Sequence, residues 1–198
     1  MFLKSPCGIR LVPKLRVPAG GLARYAPNGS LSRHELTGEG RALLKWGDIG
    51  LGNEVARGKH RLTFDDILID AAVAMIRNVW KPLPFPEWIT AVPSLRNADL
   101  VANLAMSIAG KLELAYAPVI VKVHETSQQK LQQNEFHQCH NLDGAFVIEG
   151  RVPKGPVLLI DDVVDSGWTF AVIGLLLRRA GSGPVFPFAL ASSRTRDS

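Results

Sequence analysis

Cysteine is scarce in this chain: Cys7 and Cys139 are the only two among 198 residues. Two thiols make no disulfide framework, so a secreted, cross-linked scaffold is excluded and a reducing cytoplasm is the expected setting. Long apolar runs are lacking too. None approaches the roughly 20 residues a membrane helix needs, and "MFLKSPCGIRLVPKLR" has no continuous apolar stretch of the secretion-signal kind. No CxxC pair occurs. His137, Cys139 and His140, with His124 as the nearest fourth, therefore read as a polar loop with incidental histidines, and a zinc site is not expected. Also missing is any GxxxxGK followed by Ser or Thr. An ATPase core is excluded with it, because that loop cradles the nucleotide phosphates.

What is present suits a soluble globular domain with an extension. Charge is unevenly divided. Residues 1–61 carry 11 Lys or Arg against 4 Asp or Glu, a net of +7, and residues 62–198 carry 12 against 14, a net of −2. Such an arm is a candidate contact for DNA or another acidic surface, although a solvated face with no specific role accounts for charge alone.

Along the chain, residues 1–38 are basic and rich in Pro and Gly and read as a connector. Residues 39–46 suit a short helix, followed by the Gly-rich turn "GDIGLGN". A dinucleotide fingerprint is not expected there, since no strand precedes it and the third glycine is missing. Thr63 and Asp66 have capping-box spacing, and Phe64, Ile67, Leu68, Ala71, Ala72, Met75, Ile76 and Val79 form a helical stripe. Met75 and Trp80 are read as core. After "KPLPFP" come a strand (88–92), a turn (93–97), a helix (99–111) and a strand (118–123). A long polar stretch (124–141) leads to strands at 145–148 and 157–161, a helix at 169–180 and a strand at 185–191. This alternation predicts an α/β fold with a mainly parallel central sheet flanked by helices, and ligands at the carboxyl ends of its strands.

One stretch carries chemistry. "VLLIDDVVDSGWTF", residues 157–170, runs from an apolar strand into Asp161, Asp162 and Asp165, then a glycine turn and a helix start. Adjacent acids on an extended chain point to opposite sides, so they make no matched acid–base pair. Ser166, Gly167 and Thr169 supply hydroxyls, a tight turn and converging amides, the makings of an anion site at a helix N-terminus.

This segment closely resembles the phosphoribosyl-pyrophosphate signature of type I phosphoribosyltransferases: apolar strand, two acids, two apolar residues, then Asp-Ser-Gly-x-Thr. The resemblance implies the type I phosphoribosyltransferase-like fold. It implies that Asp161 and Asp162 approach the ribose hydroxyls and the Mg²⁺ shell, as catalytic and metal-binding residues. It places Asp165, Ser166, Gly167, Trp168 and Thr169 around the 5-phosphate. "AVPSLRN" stands where the family binds pyrophosphate, which assigns that ligand to Ser94, Leu95 and Arg96. Trp168 departs from the small or polar residue usual there, and packing is the commoner fate of a large aromatic. Thr126, Gln129, Asn141 and "GAF" at 144–146 match ComF relatives, whose arginine is replaced here by Gln138.

A closer resemblance runs from about residue 39 to 191, through "LKWGDIGLG", "AVPSLRNADLVANLA", "NLDGAF" and "GSGPVFPFALA". It is to the phosphoribosyltransferase-like domain at the C-terminus of some bacterial RecQ-type DNA helicases. The chain would then be a fragment of such a helicase or a stand-alone version of that domain. Residues 39–198 would form the domain, with a helical opening section over 39–80 and a core over 87–191.

Two functions are implied. One is a phosphoribosyltransferase-like domain that binds phosphoribosyl pyrophosphate or a nucleotide with Mg²⁺ and transfers phosphoribose to an unidentified base. The other is a non-catalytic accessory domain of a DNA-repair helicase, with residues 1–61 on nucleic acid. A phosphohydrolase using Asp161 is disfavoured, because the Asp-x-Asp spacing of such enzymes is missing.

Overall fold

A computed structural model describes residues 8–27, 29, 31–96, 98–124 and 135–194. Its centre is a six-stranded sheet in the order β1 (Ile9–Leu11), β2 (Gly40–Lys45), β8 (Val185–Ser192), β7 (Val157–Val164), β3 (Trp88–Ala91) and β4 (Ala115–Tyr116). Only β1 runs antiparallel, to β2; the other four pairings are parallel. The mainly parallel α/β architecture expected from the sequence is the one observed. β5 (Ile120–Lys122) and β6 (Phe146–Ile148) form a separate antiparallel pair.

β7 and β8 are apolar throughout most of their length because both faces of the sheet are covered. On one face Leu158, Ile160, Phe188 and Leu190 pack with α1 (Leu51–Arg61), α2 (Asp66–Ala74) and α3 (Ala98–Leu112). On the other, Val157, Leu159, Val185 and Ala189 pack with α5 (Trp168–Arg179) and with Cys139 of α4 (Glu135–His140). The helical stripe of residues 64–79 buries Leu68, Ala72, Met75 and Ile76. α2 continues as a π-helical turn over Met75–Trp80, and Trp80 stacks on Phe188, as a core assignment requires.

Several sequence expectations differ from the structure: residues 135–140, read as part of a polar stretch, form α4, and the strand expected at 157–161 runs on to Val164. The helix expected at 39–46 is strand β2, because Arg41, Ala42 and Leu44 find a parallel partner in β8. Pairing decides there, since a run so short has no distinctive period. α1 arises where only a glycine turn was expected: Val55 and Gly58 are buried against the neighbouring layer. The cap of α2 is Asp65, and Thr63 makes no capping box. The connector also contributes to the core. Val17, Leu22, Tyr25 and Ala26 are buried with the α5 face, and Tyr25 Oη donates to the Phe146 carbonyl at 2.8 Å.

Candidate functional site

The chain leaves β3 and β7 toward opposite faces of the sheet. β3 leads through α3 to β4 on one side, and β7 leads through α5 to β8 on the other. Two neighbouring parallel strands whose crossovers diverge leave a crevice at their carboxyl ends, where open α/β sheets bind ligands. Ser94 follows β3 into this crevice, and Asp161 and Asp162 reach it from the part of β7 that runs on past the end of β3. Together with Lys59 of α1 they line a cavity of about 240 Å³. A second cavity of about 90 Å³ adjoins it through Asp161 and is lined by Asp165, Ser166, Gly167 and Thr169. Asp161 is thus the hinge between the two.

The turn into α5 is set by Gly167, the N-cap, at φ 80°. That left-handed geometry costs glycine nothing and an L-residue about 1–2 kcal/mol. The first intrahelical bond runs from the Ala171 amide to the Gly167 carbonyl at 3.1 Å. The amides before Ala171 are the orphan donors of the helix start, and no acidic residue sits in the first turn to compete for them. Asp165 is exposed and accepts a hydrogen bond from Ser193 Oγ at 3.2 Å, which ties the loop to the end of β8.

The two strand-end acids have different surroundings, as their opposite directions predicted. Asp162 is buried; its Oδ2 pairs with Lys59 Nζ at 2.7 Å and its Oδ1 accepts the Val163 amide at 2.6 Å. Asp161 Oδ1 accepts the Asp162 amide at 2.8 Å. Burial pushes the Asp161 carboxyl well above the usual carboxylate range, and the adjacent Asp162 charge pushes it further.

Magnesium takes near-octahedral oxygen ligands, commonly one or two carboxylates with water and ligand phosphate. Asp161 and Asp162 do not fit as a carboxylate pair for it. Asp162 has one oxygen on a lysine and the other on an amide, and one oxygen of Asp161 is likewise engaged. Among the described residues no group of three His, Cys, Asp or Glu is placed to hold a metal.

Of the residues implicated by sequence, the structure brings together Ser94, Asp161, Asp162, Asp165, Ser166, Gly167 and Thr169. It does not bring Leu95 and Arg96 into the acid-lined cavity; both are exposed beyond Ser94. The Trp168 side chain is 1% exposed and packs in the α5 core, with Lys14 Nζ 4.8 Å from its ring centre, so only its backbone amide faces the turn. Thr126 and Gln129 lie outside the described residues. Asn141 follows α4, where its Nδ2 is buried without a partner. Sequence reasoning missed Lys59. No local pattern marks it, because its role depends on α1 and on a strand far along the chain.

No family model and no curated protein matches this chain. Similar solved structures include phosphoribosyltransferases. An orotate phosphoribosyltransferase from Aeropyrum pernix is 19% identical at TM-score 0.42, over 64% of this chain and 58% of that one. An adenine phosphoribosyltransferase from Leishmania donovani is 22% identical at TM-score 0.41, over 70% and 55%. One from Trypanosoma brucei, in complex with AMP, pyrophosphate and ribose-5-phosphate, is 18% identical at TM-score 0.41, over 72% and 68%. The chain thus spans less than two thirds of the length of the first two. Among the described residues no helix is long and apolar enough to cross a membrane.

Proposed function

We propose that this chain is a type I phosphoribosyltransferase-like domain that binds a pentose phosphate, as phosphoribosyl pyrophosphate or a nucleotide. The observation that carries the reading is the pair of adjoining cavities sharing Asp161. One is lined by the strand-end acids and Ser94, the other by the glycine turn before α5. An anionic ester suits the second, where the amides of the helix start, Ser166 and Thr169 act as donors. The attached sugar suits the first, where Asp161 faces the ring hydroxyls. On this reading a pyrophosphate at C1 would be met by Ser94, with Arg96 further out along the same loop. The unit would comprise residues 39–198, with the preceding segment packed on it, in a reducing cytoplasm.

As a transferase, the domain would act by fixing the sugar and neutralising charge as pyrophosphate leaves C1. Magnesium, implied by the resemblance, enters only as a companion of the pyrophosphate ligand, because the acid pair does not fit it. Some of the arm's described cations are paired within the fold, so the nucleic-acid alternative rests on the others, the exposed Arg16, Arg33, Lys45 and Arg61 among them. Arg10 and Arg41 pair with Glu39, and Lys14 pairs with Glu135.

Calorimetry with phosphoribosyl pyrophosphate and with ribose 5-phosphate tests the reading. Binding should be seen with the native chain and be lost in Asp161→Asn/Asp162→Asn; equal affinity in the double variant would reject the sugar contacts. Pyrophosphate release with a panel of bases then separates a transferase from a binding domain.

A further inference from the structure

We propose that Lys59 is the resident cation of this site. Its ammonium occupies the place on Asp162 that a divalent metal would need, so the chain binds ribose 5-phosphate without metal. The sugar-phosphate half of this inference rests on the function proposed above; the cation half does not.

The geometry is specific. Lys59 sits in the last turn of α1 and places Nζ 2.7 Å from Asp162 Oδ2, inside the cavity it shares with Ser94 and Asp161. The contact is fixed from the helix side. Val55 is fully buried, and the Leu62 cap and the Thr63 amide both close on the Gly58 carbonyl. Gly58 lies so close to the Phe64 ring that an added Cβ would stand 2.4 Å from a ring carbon. α1 therefore sits at one depth against the layer, and the lysine beside Gly58 is held at the acid.

A buried carboxylate with no partner is costly, and one cation satisfies it. An ammonium already on Asp162 Oδ2 disfavours a divalent ion there, because two positive charges at close range repel in a partly desolvated crevice. Lysine also keeps further N–H donors, which face a cavity where a ligand's hydroxyl or phosphate oxygen would accept them. It thus supplies the positive charge, and a directional contact besides. Arginine at this position would keep the charge, whereas glutamine would empty the place.

The test uses the full chain with native Lys59, Lys59→Gln, Lys59→Arg and Lys59→Gln/Asp162→Asn. Mn²⁺ is titrated in and its free fraction read from its electron paramagnetic resonance signal. The native and Lys59→Arg proteins should leave Mn²⁺ free, and Lys59→Gln should bind it about tenfold or more tighter, through Asp162. The double variant should lose that binding. Mn²⁺ binding equal in native and Lys59→Gln proteins would overturn the proposal, as would none in Lys59→Gln.

Ribose 5-phosphate affinity is then measured in EDTA and in Mg²⁺. It should be the same for the native chain, and in Lys59→Gln it should fall about tenfold in EDTA and recover with Mg²⁺. Native binding that requires Mg²⁺ would overturn metal independence. No ribose 5-phosphate binding by any protein would reject the sugar-phosphate reading of the site, and the Mn²⁺ titration alone then decides whether Lys59 holds the metal position.

Discussion

Tyr25 and Phe146 exchange two hydrogen bonds. The phenol Oη donates to the Phe146 carbonyl at 2.8 Å and accepts from the Phe146 amide at 3.0 Å. Both groups are buried, and burial pushes the phenol's pKa up. The bond pair fastens the proline-rich N-terminal segment to β6. Tyr25→Phe keeps the ring and strands a donor and an acceptor, a loss of roughly 1–3 kcal/mol. Thermal denaturation reads it; an unchanged midpoint would mean that the segment is only laid against the core.

Gly167 and Gly58 separate two kinds of glycine requirement. Nothing lies within 4 Å of a Cβ added at Gly167, but its φ is +80°. Gly167→Ala should cost about 1–2 kcal/mol of backbone strain and weaken ribose 5-phosphate binding as the turn relaxes. Gly58→Ala meets the Phe64 ring instead, at a cost of roughly 1–3 kcal/mol, and moves α1. Melting curves of both variants with and without ligand distinguish the effects.

Asp161 should be a stability cost at neutral pH. Its folded-state pKa is raised, so the fold holds this proton more tightly than the open chain does. Stability from this source is complete below the ordinary carboxyl pKa and is lost as pH rises through the raised value. Asp161→Asn should therefore stabilise the protein at pH 7, by about 1 kcal/mol, with the gain vanishing at acid pH. A gain that stays constant with pH would contradict the assignment.

Glu35 should behave in the opposite way. The Ser32 hydroxyl and the Arg179 guanidinium draw its pKa from 4.5 down to about 2. The stabilisation is present above the ordinary value and is lost as pH falls from about 4.5 toward 2. Glu35→Gln should lose about 1 kcal/mol at neutral pH and show a flatter acid-unfolding curve than the native protein.

Cys139 should be chemically silent. Burial pushes its thiol up to about 12, and it faces the core from α4. In a Cys7→Ser variant, a thiol reagent at pH 8 should label nothing until denaturant is added. Labelling of the folded chain would reopen the metal-ligand reading of residues 137–140.

Much of the scaffold was legible because its signals are local. Apolar residues 157–160 followed by Gly167 announced β7, the turn and α5, and the stripe through Leu68, Ala72 and Ile76 announced α2. β2 was not legible. "GRALLK" has no decisive period, and it is a strand because β8 lies beside it. α1 escaped notice because two glycines lower its helix propensity, and burial of Gly52, Val55 and Gly58 offsets that.

The candidate site divides along the same line. The sequence by itself determined which acids, hydroxyls and glycine meet at the end of β7, since neighbours in a strand–turn–helix are placed by backbone geometry alone. Only the tertiary structure decided which of them are available. It turned Trp168 inward, left Arg96 on the surface and set Lys59 against Asp162. Those outcomes depend on which distant segment fills the space beside each side chain, and packing across layers leaves no periodic trace in the chain.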